Sequence, residues 1–144
     1  MTIHSIVPGA ILMLCSGCVL TEELKIKVKN IDIRSGGNII VMVFSEEGFP
    51  IEHEKAIFTK TQSAQHETMV FTINIEMDEL AVKVLHDEDM DGKTTKNWTG
   101  IWPREGLGFS NDQKLALTGP PKYRHSKLSR GQWENGVTIS VLYP

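Results

Sequence analysis

The chain has 144 residues, of which 40% are hydrophobic and 23% are charged, a balance typical of one soluble domain with a buried core. The formal net charge is -3 and no lysine and arginine block alternates with aromatic residues, so nothing indicates nucleic-acid binding. The two cysteines, Cys15 and Cys18, lie together near the N-terminus, so no disulfide framework is predicted for the domain.

The N-terminal segment has the features of an export signal. Residues 6–14 form an apolar run that is too short to span a bilayer and has the length of a signal-peptide core. Two small residues then precede Cys18, an arrangement that resembles the lipobox of bacterial lipoproteins, in which the cysteine is acylated. We predict a signal peptide over residues 1–17, lipidation of Cys18 and a domain over residues 24–144. Ordinary secretion and a buried N-terminal strand are the alternatives.

The first strands follow from the pattern of apolar residues. Residues 24–28 alternate between apolar side chains and lysines, which predicts a strand with one solvated face. The apolar positions change parity after Asn30, and we expect a β-bulge at residues 29–31. A Ser-Gly-Gly-Asn turn leads to residues 39–44, which are apolar on both parities, as in a central strand. This pair is predicted to form a hairpin.

The rest of the chain predicts further strands separated by loops. Residues 51–66 are expected to form a crossover loop with a short edge strand or one helical turn. Residues 69–75 and 80–86 alternate as core strands, 115–117 suggest a short strand, and 137–143 form the last strand. About seven short strands without an amphipathic helix predict an all-β antiparallel sandwich. Its core is expected to include Ile26, Val28, Val41, Val43, Phe71, Ile73, Val82, Val84, Ile139 and Val141.

Two polar regions of the second half are predicted to be loops. Residues 92–112 are rich in glycine and predict a long ordered loop whose Trp98, Trp102 and Phe109 pack on the domain. The basic stretch over residues 122–130 is interpreted as a solvated loop, with an anion site as the alternative.

Residues 86–93 carry the main indication of a binding site. Asp87, Asp89 and Asp91 occupy positions 1, 3 and 5 of a calcium-binding loop, and Gly92 at position 6 permits the sharp turn. The segment is not an EF-hand, because position 12 is Trp98 rather than a bidentate glutamate, and no helical periodicity flanks the loop.

Further ligands would have to come from the backbone or from later residues. Asn97, Glu105 and Asp112 are the candidates. Oxygen-only ligands favour calcium over zinc. We therefore hypothesise a weak calcium site formed by Asp87, Asp89, Asp91 and Glu105. A solvated acidic turn, in which Asp side chains bond their own backbone, is the alternative.

His86 precedes this loop and shares a strand face with apolar residues, so we expect it to point inward. A lone histidine on an apolar face usually has a hydrogen-bonding role in the core. Catalysis or metal binding by His86 is the alternative.

Four motifs together resemble a bacterial family of small exported proteins grouped as a domain of unknown function. That family couples a His-Asp acidic loop to a downstream Gly-Phe-Ser-Asn sequence. The resemblance covers residues 24–144, and it implies export, an immunoglobulin-like or prealbumin-like sandwich and no established activity. The motifs are Gly48-Phe49-Pro50, His86-Asp87-Glu88-Asp89-Met90-Asp91-Gly92-Lys93, Pro103-Arg104-Glu105-Gly106-Leu107-Gly108-Phe109-Ser110-Asn111 and Gly119-Pro120-Pro121.

Two functions are compatible with these features. The first is a non-catalytic exported module that binds another envelope protein or a glycan, in the periplasm or outer membrane, with membrane contact only through the lipid anchor. The second is a metal-dependent hydrolase that uses His86, Asp87 and Asp89, with Glu105 as the base. No Ser-His-Asp set or nucleophilic cysteine is recognisable, so we assign no catalytic residue. A second histidine near the loop would favour the hydrolase, and only His125 is available.

Overall fold

The structure is a computed structural model, and it describes residues 21–93 and 104–144. The predictions for the signal peptide, for Cys18 and for Asn97, Trp98 and Trp102 lie outside these residues. No helix in the described part of the chain combines the length and apolar character needed to cross a bilayer.

The described residues form eight strands, two short helices and three single 3-10 turns. The helices are α1 (Tyr123–Ser126) and α2 (Arg130–Trp133), and the 3-10 turns are Ile33–Ser35, His53–Lys55 and Ser110–Asp112. The strands are β1 (Glu22–Lys29), β2 (Asn38–Phe44), β3 (Phe58–Ser63), β4 (Met69–Ile75), β5 (Glu79–Asp87), β6 (Gly106–Phe109), β7 (Leu128–Ser129) and β8 (Val137–Ser140).

The strands form two sheets, so the prediction of an all-β sandwich is confirmed. One sheet has the order β4-β1-β8, and the other has the order β3-β2-β5-β6 with β7 paired to the start of β5. The pairing of β1 with β8 is parallel, whereas the other strand pairs of the described residues are antiparallel.

The core between the sheets is built from alternate residues of the strands. All ten residues that the sequence analysis placed in the core are buried in this cluster. β1 and β4 contribute one face each, since their other faces are solvated. β2 and β5 are buried on both faces, as their apolar residues on both parities require.

A second cluster, which we name the outer core, covers the other face of the five-stranded sheet. Phe49, Ala56 and Leu115 pack against it from neighbouring loops. The ring of Phe49 contacts Phe109 edge to face at 6.3 Å between centroids. The outer core consists of Ile40, Met42, Phe44, Leu85, Leu107 and Phe109.

The predicted hairpin between the first two strands is wrong. β1 pairs with β4 and β8, and β2 pairs with β3 and β5, so the turn between β1 and β2 crosses from one sheet to the other. The difference in burial explains this. β2 is apolar and buried on both faces, whereas β1 is buried on one face only and pairs with β4, which has the same alternation of buried and solvated residues.

The β-bulge was predicted at residues 29–31, where β1 ends at Lys29, and one extra residue separates the β1–β4 register from the next hydrogen bond, Ile31 to Glu67. Asn30 has a left-handed backbone with φ of 62°, and its side-chain amide donates to the carbonyl of Val141. Ile31 is buried and donates its N–H to the carbonyl of Glu67. The change of apolar parity therefore marks both the end of β1 and a one-residue offset in its pairing with the chain before β4.

The loop predicted over residues 92–112 contains a strand, β6, which the sequence analysis missed. Its glycines hide the strand pattern, but they are required by close packing. A Cβ on Gly108 would lie 2.5 Å from Ile139 Cγ2 and 2.9 Å from the Ser140 carbonyl oxygen. Strand β8 and the residues after it can therefore lie directly over β6.

The strand predicted at residues 115–117 is wrong as well. Ala116 and Gly119 exchange two backbone hydrogen bonds of 3.0 and 2.9 Å, which closes a tight turn. Leu117 at its tip is 89% exposed and contributes nothing to the core.

Candidate metal centre

Two acidic residues lie opposite each other at the ends of β5 and β6. His86 pairs with Gly106 in the antiparallel ladder, so the next residues outward, Asp87 and Glu105, are cross-strand neighbours. Asp87 is 2% exposed and Glu105 is 3% exposed. Like charges directly opposite each other in a sheet repel, so these two carboxylates oppose each other's ionisation.

The residues after Asp87 fold into a compact turn that is held by its own carboxylates. Asp87 accepts hydrogen bonds from the N–H groups of Asp91 at 3.1 Å and Gly92 at 2.7 Å. Asp89 accepts one from the N–H of Asp91 at 3.2 Å. Met90 and Gly92 have φ angles of 59° and 74°, and Gly92 supplies the left-handed position that the sequence analysis assigned to it.

The turn brings together the four residues that the sequence analysis named as ligands. Asp87, Asp89, Asp91 and Glu105 each offer one carboxylate oxygen, and these oxygens all lie within 4.8 Å of one another. Oxygen ligands at about 2.3 to 2.6 Å from a calcium ion are at most about 5 Å apart, so the four oxygens fit one coordination sphere. Asp112, the other acidic candidate, lies in the 3-10 turn after β6 and is not part of this group.

The electrostatics of Asp87 reflect its crowded position. Burial raises the pKa of its carboxyl, and the nearby Asp89 and Asp91 side chains raise this pKa further. The N–H groups of Gly92 and Asp91 act in the opposite direction. Bringing the acidic groups together therefore costs free energy, which a bound cation would offset.

His86 is fully buried and has two hydrogen-bond partners. The N–H of Asp32 donates to the Tyr143 hydroxyl at 2.8 Å, and that hydroxyl is hydrogen-bonded to His86 Nδ1 at 2.7 Å. His86 Nε2 then donates to the carbonyl of Gly36 at 2.6 Å. Both ring nitrogens are thus used in joining the C-terminus, the β1–β2 connection and β5, which is a structural role.

The Phe-Ser-Asn part of the downstream motif fastens β5 to the helix α1 region. Ser110 accepts the N–H of Val82 at 2.9 Å and donates to the carbonyl of Ser126 at 2.6 Å. Asn111 has a left-handed φ of 62°, and its side-chain amide donates to the carbonyls of His125 and Lys127. These contacts give Ser110 and Asn111 structural roles. Phe109 also has a structural role, because it packs in the outer core.

His125 lies far from the acidic loop along the sheet. The carbonyl of His125 accepts a hydrogen bond from Asn111, which lies two residues after Phe109. Phe109 pairs with Lys83, and Lys83 lies four residues before Asp87 in β5. Four residues of strand span about 13 Å. The structure therefore does not bring His86, His125 and the acidic group together in a cleft. The expectation that only His125 could lie near the acidic loop is wrong, because His53 lies beside Gly92.

The basic stretch is partly neutralised by ion pairs. Lys127 contacts Glu79 at 3.3 Å, and Arg130 contacts Glu22 at 2.8 Å and Asp78 at 3.3 Å. These pairs tie the segment to the strands beside it.

A buried lysine and its partner were not predicted from the sequence. Lys83 is 4% exposed and donates to the carbonyl of Pro50 at 3.0 Å and to His53 Nε2 at 2.7 Å. The available indication was its position within the apolar run of β5, a strand that is buried on both faces. The role of Tyr143 was also missed, although it continues the alternation of the last strand.

The fold and the site define an all-β sandwich protein with an acidic, carboxylate-lined turn at one end of its larger sheet. The chain belongs to a bacterial family described as "Uncharacterized protein conserved in bacteria (DUF2141)", whose sequence model matches residues 26–138. This membership confirms the resemblance to a bacterial domain of unknown function. No curated protein and no solved structure matches the chain.

Proposed function

We propose that this protein is a non-catalytic β-sandwich module whose acidic turn binds a calcium ion. The observation that carries the proposal is the approach of Asp87, Asp89, Asp91 and Glu105 to within 4.8 Å of one another. The ligands come from both sides of the β5–β6 connection, so the ion would join the end of one strand to the start of the next.

Calcium suits this group better than zinc or a tightly bound magnesium. All four ligands are carboxylate oxygens, which hard cations prefer. Calcium accepts six to eight oxygens in irregular arrangements, and backbone carbonyls and water can supply the remainder. Without the bidentate glutamate of tighter sites, we expect a dissociation constant of about 10⁻⁴ to 10⁻³ M, typical of extracellular modules.

The experiment is an NMR titration of the purified domain with calcium, comparing two variants that each remove one negative charge. Glu105→Gln removes a member of the group, whereas Glu88→Gln changes a neighbouring acid outside it. We expect wild type to bind with shifts confined to the acidic turn and the start of β6. Glu105→Gln should weaken binding at least about tenfold, and Glu88→Gln less than about threefold.

Equal weakening by both variants would mean that calcium merely screens a diffuse negative charge. Absence of saturable shifts at millimolar calcium would leave an acidic turn held by its own backbone hydrogen bonds. Either result overturns the proposed site.

We further propose that the module is exported and anchored through an acylated Cys18, and that it binds an envelope protein or a glycan. The apolar run before Cys18 supports the export part of this proposal. The anchor is tested by expressing the full chain and its Cys18→Ala variant in a bacterial host. We expect wild type to partition into detergent and the variant to remain in the aqueous phase. Mature protein that retains residues 1–17 would contradict the anchor.

A further inference from the structure

A cover segment, residues 48–57, lies over the outer core and is fastened to β5 through one buried side chain. Within the segment, Ile51 and Glu52 donate their N–H groups to the carbonyl of Gly48. The end of the segment is tied to β2 by the N–H of Ile57, which donates to the carbonyl of Val43. Between these points, the Lys83 side chain of β5 donates hydrogen bonds to the Pro50 carbonyl and to the His53 ring.

The contact between Lys83 and His53 requires a neutral imidazole. A lysine ammonium has three donors and no acceptor, so His53 Nε2 must accept the hydrogen bond at 2.7 Å. The backbone of Gly92 also lies beside the ring and favours its protonation. A protonated ring has two donors and no acceptor, and it would place a second positive charge against Lys83.

We propose that His53 is a pH switch, whose protonation breaks its hydrogen bond to Lys83 and releases the cover segment from the outer core. The groups that face His53 are Lys83 from β5, Glu54 from its own turn and the Gly92 backbone from the acidic turn. Glu54 and the Gly92 backbone favour the proton, whereas Lys83 opposes it.

Burial, and then the charge of Lys83, lower the pKa of His53 below its ordinary value of 6.5. The folded state therefore prefers the neutral ring. The stability contributed by this preference is present above pH 6.5 and is lost as the pH falls through the lower folded value. Near neutral pH the cover segment is closed, and mild acid opens it.

The test is hydrogen exchange of the full chain by mass spectrometry between about pH 7.5 and about pH 4.5, corrected for intrinsic exchange rates. In wild type, the segment containing the Ile51, Glu52 and Ala56 amides should lose at least about tenfold protection on acidification, while β1 and β4 keep theirs. His53→Gln, which supplies a carbonyl acceptor that does not titrate, should keep the segment protected. His66→Gln alters an exposed histidine and should behave as wild type.

Unchanged protection of the segment in wild type, or equal loss in His53→Gln, overturns the switch. If His53→Gln is unprotected at every pH, NMR titration of the wild-type His53 ring decides the question. The switch requires its protonation midpoint to coincide with the loss of protection, and separate midpoints overturn it.

Discussion

At the scale of single residues, Gly108 shows how a residue without a side chain can be required by packing. The antiparallel partner of Gly108 is Val84, and Ile139 of β8 fills the space in which a Cβ would lie. A Cβ on Gly106 would likewise collide with the side chains of Val141 and Tyr143. The two glycines let the C-terminal strand lie against β6.

We expect Gly108→Ala to lower the free energy of unfolding by about 1 to 3 kcal/mol, because the added methyl group must displace Ile139 and the Ser140 backbone. Gly131→Ala is the matched control, since a Cβ there meets no atom within 4 Å and the residue lies in a helix. The control should be neutral or raise stability by up to about 1 kcal/mol. Urea unfolding measures both variants, and an unaffected Gly108→Ala would refute the close-packing account.

Lys83 gives a residue-scale prediction about alkaline pH. Burial lowers its pKa from 10.5 to about 8, so between these values the unfolded chain binds more protons than the folded chain. Stability therefore rises with pH in this interval, by about 1.5 kcal/mol between pH 8 and about pH 9.5. Denaturation at a series of pH values should show the rise in wild type and its absence in Lys83→Met. A flat wild-type profile would contradict a buried ammonium at this position.

At the scale of elements, the strands with clear alternation were predictable and the pairing between them was not. Residues 24–28 and 69–75 alternate over several positions, and both segments form strands with one solvated face. The prediction of a hairpin between β1 and β2 failed because a glycine turn shows where the chain bends but not which sheet the next strand joins. β7 consists of two residues and is fixed by its pairing with Glu79 and Leu80, so no local pattern could indicate it.

The candidate site was predictable to the extent that it is local. Asp87, Asp89 and Asp91 belong to one turn, and their spacing alone placed them together. Glu105 was one of several later candidates, and the register of β5 with β6 brings it to the turn. The hydrogen bonds of His86 to Tyr143 and Gly36 depend on residues distant in sequence, so only its inward direction could be foreseen.

Ser110 gives an element-scale prediction, because its hydroxyl joins β5 to α1. Ser110→Ala leaves the Val82 N–H and the Ser126 carbonyl without this partner inside the protein. We expect the variant to lose about 2 to 3 kcal/mol of stability. Ser63→Ala, at the exposed end of β3, should change stability by less than about 0.5 kcal/mol. Chemical denaturation distinguishes the two, and a loss in both or in neither would contradict the role assigned to Ser110.

At the scale of the whole molecule, the apolar residues that pack the sandwich and the carboxylates of the candidate binding site lie in different places. The apolar residues of both sheets fill the core between them and the outer core, while the carboxylates of the acidic turn lie at the end of β5. Asp87, the last residue of β5, and Glu105, the residue before β6, both belong to that carboxylate group. A bound ion would therefore stabilise the larger sheet at the point where its central strand meets its edge strand.

The most direct test of calcium binding is the melting temperature of the domain with and without millimolar calcium, with magnesium as the ionic control. A few-fold excess over the expected dissociation constant adds about 1 kcal/mol of stability, which raises the melting temperature by about 3 to 6 °C. We expect this rise in wild type with calcium and not in Asp89→Asn. A melting temperature that calcium leaves unchanged, or a rise that Asp89→Asn retains in full, would contradict the calcium site.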